Sequence, residues 1–232
     1  MSWVSRSTTI WRHWVAVGVL AISSCLGQLP SVHGYLIIEE QFLTGGSPAS
    51  GQYNTSQGLA GQNPTVAGFS GAWYSSNGSA MNVNAGSLSY SNGTYPSSLG
   101  GSLFSPTNNN RVHRLLDNAT NPFQSSYNGT IYLSYLYQNS ASSNTNYIAF
   151  EMHNGGNSDG NRTFHLGVGQ SDFLGGSTFG FRINQNSSLA SPLGARNTAV
   201  NLFVIKFDLS SAAGGDAITV WQNPSYSSPL VD

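Results

Sequence analysis

Past residue 35 the apolar side chains recur at every second position. Between Thr130 and Gln138, Ile131, Leu133, Tyr135 and Tyr137 share one side, and Tyr132, Ser134, Leu136 and Gln138 share the other. Phe164, Leu166 and Val168 repeat the beat, with His165 and Gly167 opposite. So do Phe179, Phe181 and Ile183, then Phe203, Ile205 and Phe207, then Ile218 and Val220. A period of two places alternate side chains on opposite faces of a β-strand. β-branched and aromatic residues fill these runs, and Gly, Asn, Ser and Pro clusters separate them as turns require. The pattern predicts strands over 35–39, 87–90, 102–104, 112–116, 130–138, 147–153, 163–169, 178–183, 201–208 and 216–222. The expected fold is all-β: two antiparallel sheets packed face to face, each burying its apolar side against the other. The stretch from Thr44 to Ala85 is rich in Gly, Ser and Asn and reads as a long loop, pinned to the core by Phe69, Trp73 and Tyr74.

Residues 1–34 break this pattern. Arg6, Arg12 and His13 are followed by a short apolar run from Trp14 to Ile22 and by small residues up to Gly34. The run is shorter than the roughly 20 residues a membrane-spanning helix needs. It predicts a signal-peptide helix over 1–34, cut before Tyr35, and a mature domain over 35–232. A rival reading makes Ile22-Ser-Ser-Cys25 a lipobox with a lipid on Cys25, which leaves Leu26 to Gly34 without a purpose.

Composition narrows the partners. Charged residues are 7% of the chain, against about 25% in typical soluble domains. Past the leader there are six basic and nine acidic residues, a net charge of −3, with no basic cluster. That argues against nucleic acid, whose phosphates call for grouped Lys and Arg. The one cysteine, Cys25, lies in the leader, so the mature domain relies on its core rather than on disulfides. Seven Asn-x-Ser/Thr sequons occur and are read as a product of this composition.

Several phrases, taken in their order along the chain, carry more than each alone. They are Tyr35-Leu-Ile-Ile-Glu-Glu-Gln-Phe42, Gly68-Phe-Ser-Gly-Ala-Trp73, Asn110-Arg-Val-His-Arg-Leu-Leu116 and Thr130-Ile-Tyr-Leu-Ser-Tyr-Leu-Tyr137. Phe150-Glu-Met-His153, Asn161-Arg-Thr-Phe-His-Leu-Gly167, Asn201-Leu-Phe-Val-Ile-Lys-Phe-Asp208 and Val220-Trp-Gln-Asn-Pro224 follow. Over about residues 35–224 the chain resembles the exported planctomycete and verrucomicrobial proteins that end in a PEP-CTERM sorting signal. The resemblance implies a laminin-G/concanavalin A-like jelly roll exported by a Gram-negative-type bacterium. It implies fold and address more than activity. Such proteins continue into a closing strand and a sorting tail, whereas this chain stops at Asp232. A membrane link is therefore expected only through the export signal, a lipid at Cys25 or a C-terminal anchor beyond Asp232.

Two groups of residues are candidates for binding. Glu151, His153, Asn157, Asp159 and His165 form a strand–loop–strand of acid, imidazole and amide groups that would suit Ca2+ or Mn2+. The simpler reading is a polar hairpin with Glu151 and Arg162 paired across its strands, and one short motif is a weak basis for a metal. Trp73, Tyr74, Tyr135 and Tyr137 are candidates for stacking on sugar rings, although aromatic residues in β proteins more often pack in the core. No strand shows the alternating acids expected of a jelly-roll glycoside hydrolase. The expected function is an exported, non-catalytic domain that binds polysaccharide at the cell surface or in an extracellular matrix. The alternatives are a structural or adhesion protein without a small ligand, and a polysaccharide-active hydrolase.

Overall fold

A computed structural model describes residues 6–7, 15–16, 40–44, 51–77, 81–86, 88–90, 101–105, 111–119, 121, 123, 127–139, 148–155, 161–168, 177–184, 190–212 and 214–224. Among them every regular element is a strand. The strands are β1 Arg6–Ser7, β2 Val15–Ala16, β3 Phe69–Asn77, β4 Asn82–Asn84, β5 Ser102–Phe104, β6 Arg111–Leu116 and β7 Gly129–Gln138. They continue with β8 Ile148–His153, β9 Arg162–Val168, β10 Thr178–Ile183, β11 Ser191–Ala195, β12 Val200–Leu209 and β13 Ala217–Gln222.

These strands form a four-stranded sheet in the order β1-β13-β12-β7, a seven-stranded sheet in the order β11-β10-β9-β8-β2-β6-β3, and a β4-β5 pair. All pairings between named strands are antiparallel. The long β7–β12 register runs from Gly129↔Leu209 to Gln138↔Val200 without a slip. One buried cluster draws on both larger sheets: Ile131, Phe203, Ile205 and Phe207 from one, and Phe150, Phe164, Leu166 and Phe181 from the other. The apolar alternation read from the sequence is what aims these side chains at a common interior. A second cluster, with Tyr53, Leu59, Trp73, Val83 and Val112, lies under the chain that precedes β3.

Several elements differ from the expectation. Residues 69–77 are strand rather than loop, and β4 and β11 were not expected. β3 is irregular, with register shifts between Ser70 and Tyr74 and between Ser75 and Asn77, and Gly71 at φ +70°. Such bulges break a strict period of two. β11 carries Pro192, which an edge strand tolerates because one side of its backbone is not in the ladder. Residues 88–90 are not strand; Tyr90 instead packs against Leu202, Val204 and Trp221. The expected strand over 35–39 lies outside the described residues, as do Cys25 and the expected cut before Tyr35. β1 and β2 both fall within the segment read as leader: β1 pairs with β13, and β2 lies between β6 and β8. The rest of the expected leader helix lies outside the described residues.

Candidate functional site

β8 turns Phe150 and Met152 into the core, so Glu151 and His153 project from the other face of the seven-stranded sheet. β9 does the same, with Phe164 and Leu166 inward and His165 outward, directly opposite Glu151. β6 adds Arg111 and His113 on that face. The structure therefore brings Glu151, His153 and His165 together, with two arginines among them. Asn157 and Asp159 lie outside the described residues.

The bonds within this cluster are specific. Glu151 Oε1 lies 2.9 Å from Arg162 Nε. Its Oε2 lies 2.9 Å from His153 Nε2 and 3.5 Å from Arg111 Nε. His153 is 0% exposed and packs edge-on against His113 at 5.0 Å between ring centroids. Tyr74, half-buried, stacks on the other side of His113 at 5.3 Å. Arg162 Nη1 lies 3.4 Å from His165 Nδ1. A guanidinium only donates, so this His165 nitrogen accepts. Burial first, then His153 and Arg111, push the His113 imidazole down to about 4. Burial first, then Arg162, push His165 down to about 3. Both rings are neutral near pH 7.

Among the described residues this arrangement forms an internal ion pair. Both Glu151 oxygens already face a guanidinium, and an added dication would stand beside two fixed positive charges. Among the described residues no group of three or more His, Cys, Asp or Glu side chains has a geometry that holds a metal ion. Glu151 and Arg162 pair across β8 and β9, as in the polar-hairpin reading.

The aromatic candidates are placed differently from one another. Trp73 is buried, and its indole Nε1 donates to Tyr53 Oη at 2.8 Å. Tyr135 lies against Phe150 and Phe203, with centroids 5.1 and 5.5 Å away, and Tyr137 against Phe179 at 5.8 Å. Tyr137 Oη donates to Asn139 Oδ1 at 2.8 Å. These three rings are committed to packing, and only Tyr74 among the four stands on the face of the histidine cluster. Tyr132, on the opposite side of β7, is 56% exposed.

A second polar group was not foreseen. Arg114 shares the core-facing side of β6 with Val112 and Leu116 and is 1% exposed. Its Nη1 lies 3.4 Å from Glu40 Oε2 and its Nη2 donates to Pro64 O at 2.5 Å. Its Nε donates to Gly71 O at 3.0 Å, and its guanidinium lies 5.3 Å from the Phe69 ring centroid. Tyr53 Oη donates to Glu40 Oε2 at 2.5 Å. The available signal was an arginine alternating with two apolar residues, since a buried guanidinium requires an acid.

Glu40 and Glu151 thus lie on opposite faces of one sheet, each tied to arginine. No family model, curated protein or solved structure matches the chain.

Proposed function

We propose that this chain is an exported, non-catalytic domain with a carbohydrate partner at the cell surface or in an extracellular matrix. In this reading the two larger sheets form a concanavalin A/laminin-G-like jelly-roll sandwich, and the chain is a relative of the PEP-CTERM proteins it resembles. One observation carries the non-catalytic part. Among the described residues the two buried glutamates, Glu40 and Glu151, are separated by a sheet and paired with Arg114 and with Arg111 and Arg162. Glycoside hydrolysis needs two carboxylates facing one substrate about 5–9 Å apart, one of them able to carry a proton. The shared cluster between the sheets supports the sandwich. The test is incubation of the full chain with a polysaccharide panel, reading new reducing ends. None are expected. Release that Glu151→Gln abolishes would sink the reading.

A further inference from the structure

We propose that the turn after β8 is a site of self-modification, at which the backbone nitrogen of Gly155 converts the Asn154 side chain to aspartate and isoaspartate. This change needs no partner and is independent of carbohydrate binding.

The sequence holds four Asn-Gly steps, beginning at Asn77, Asn92, Asn128 and Asn154. Glycine favours this chemistry because it has no Cβ to keep the asparagine amide away from the next nitrogen. Two of the steps have both residues described, and their surroundings differ. Gly129 belongs to β7 and lies opposite Leu209 in the unbroken β7–β12 ladder. Gly155 lies past the end of β8, in a bend, and is exposed. Its φ is +69°, and a Cβ built on it would meet nothing within 4 Å. Among the described residues nothing accepts the Gly155 N–H. The turn is anchored one residue earlier, where the Asn154 N–H donates to Asn161 O at 2.7 Å. The peptide unit between Asn154 and Gly155 is therefore outside both strands.

The Gly155 nitrogen attacks Asn154 Cγ. The N–Cγ bond forms and the Cγ–Nδ2 bond breaks. Nδ2 leaves as ammonia, taking the proton that the Gly155 N–H gave up. Water then opens the cyclic imide at either carbonyl. One opening gives aspartate; the other gives isoaspartate, whose main chain runs through the former side chain. Either product adds one negative charge at the end of β8 near pH 7. Ring closure requires the Asn154 backbone to rotate so that the Gly155 nitrogen swings toward Cγ and the reacting atoms meet. A turn with its amide outside the ladder permits that rotation. At Asn128 the same rotation would pull Gly129 away from Leu209.

The test is to age the full chain in warm, mildly alkaline buffer, digest it at low pH and follow both asparagines by mass spectrometry. Parallel samples are aged unfolded in urea. In the folded chain Asn154 should be lost about tenfold faster than Asn128, through the difference in barrier. In urea the two should react at similar rates, since each precedes a glycine. An isoaspartyl methyltransferase should label the peptide carrying position 154 from the aged folded chain, and Asn154→Gln should abolish that label. Equal loss at both sites in the folded chain, faster loss at Asn128, or an Asn154 that reacts only in urea would overturn the assignment.

Discussion

Arg114 connects four points along the chain that precedes β6. Its contacts reach Glu40, Tyr53, Pro64 and Gly71. A charge this deep is tolerated because each nitrogen has an oxygen to meet. Removing one partner leaves the others desolvated and unmatched. Arg114→Met should therefore lower the unfolding free energy by about 3–5 kcal/mol in urea titrations. Glu40→Gln with Arg114→Met should lose less than the single change, because the second substitution removes the stranded carboxylate. A double mutant that loses more than Arg114→Met alone would show that the two do not act as a pair. The sequence carried half of this. Glu40 and Arg114 stand out in apolar surroundings, but 74 residues separate them, and no local period reports a contact at that distance.

The strands with the strictest alternation are those the pattern located. The predicted 178–183 coincides with β10, and 130–138 and 201–208 fall within one residue of β7 and β12. The elements it missed are short, bulged or built of Ser, Gly and Pro, where side chains say little about pleat. The same alternation also held the placement of Tyr135 and Tyr137. They share parity with Ile131 and Leu133, and that parity points to the core. What alternation does not reveal is which face is covered, so the exposure of Tyr132 became legible only in three dimensions. The short β4–β5 pair depends on close backbone approach instead of side-chain pattern. A Cβ added at Gly101 would overlap the backbone oxygens of Asn84 and Phe42, which have no flexible end to yield. Gly101 also donates its N–H to Gln41 O and Phe42 O at 3.0 Å. Gly101→Ala should thus destabilise the fold by about 1–3 kcal/mol, measured by chemical denaturation. An unchanged midpoint would mean that this pair is not packed against residues 41–42.

At the scale of the molecule, metal and pH probe the buried charges on both faces of the seven-stranded sheet. Because two arginines already neutralise Glu151, excess Ca2+ or Mn2+ should leave the thermal midpoint unchanged. A ligand that bound the folded state alone would raise it. A rise that Glu151→Ala removes would support the metal reading. Acid should act differently. His113 and His165 titrate in the folded protein at about 4 and about 3, below the ordinary 6.5. The unfolded chain therefore binds their protons more readily than the folded one. The stability tied to neutral rings is fully present above pH 6.5 and is lost as pH falls toward 4 and then 3. Glu40 has the opposite sign. Burial raises it above 4.5, so its contribution is present at low pH and declines as pH rises through the raised value. Of these three groups, the two histidines and not Glu40 contribute to loss of stability in acid. His113→Phe keeps a ring between Tyr74 and His153 but cannot take a proton. Thermal midpoints measured from pH 8 to pH 4 should fall less steeply below 6.5 in this variant than in the parent chain. Parallel curves would mean that His113 takes up its proton equally in both states, and that its neighbours open before it is charged.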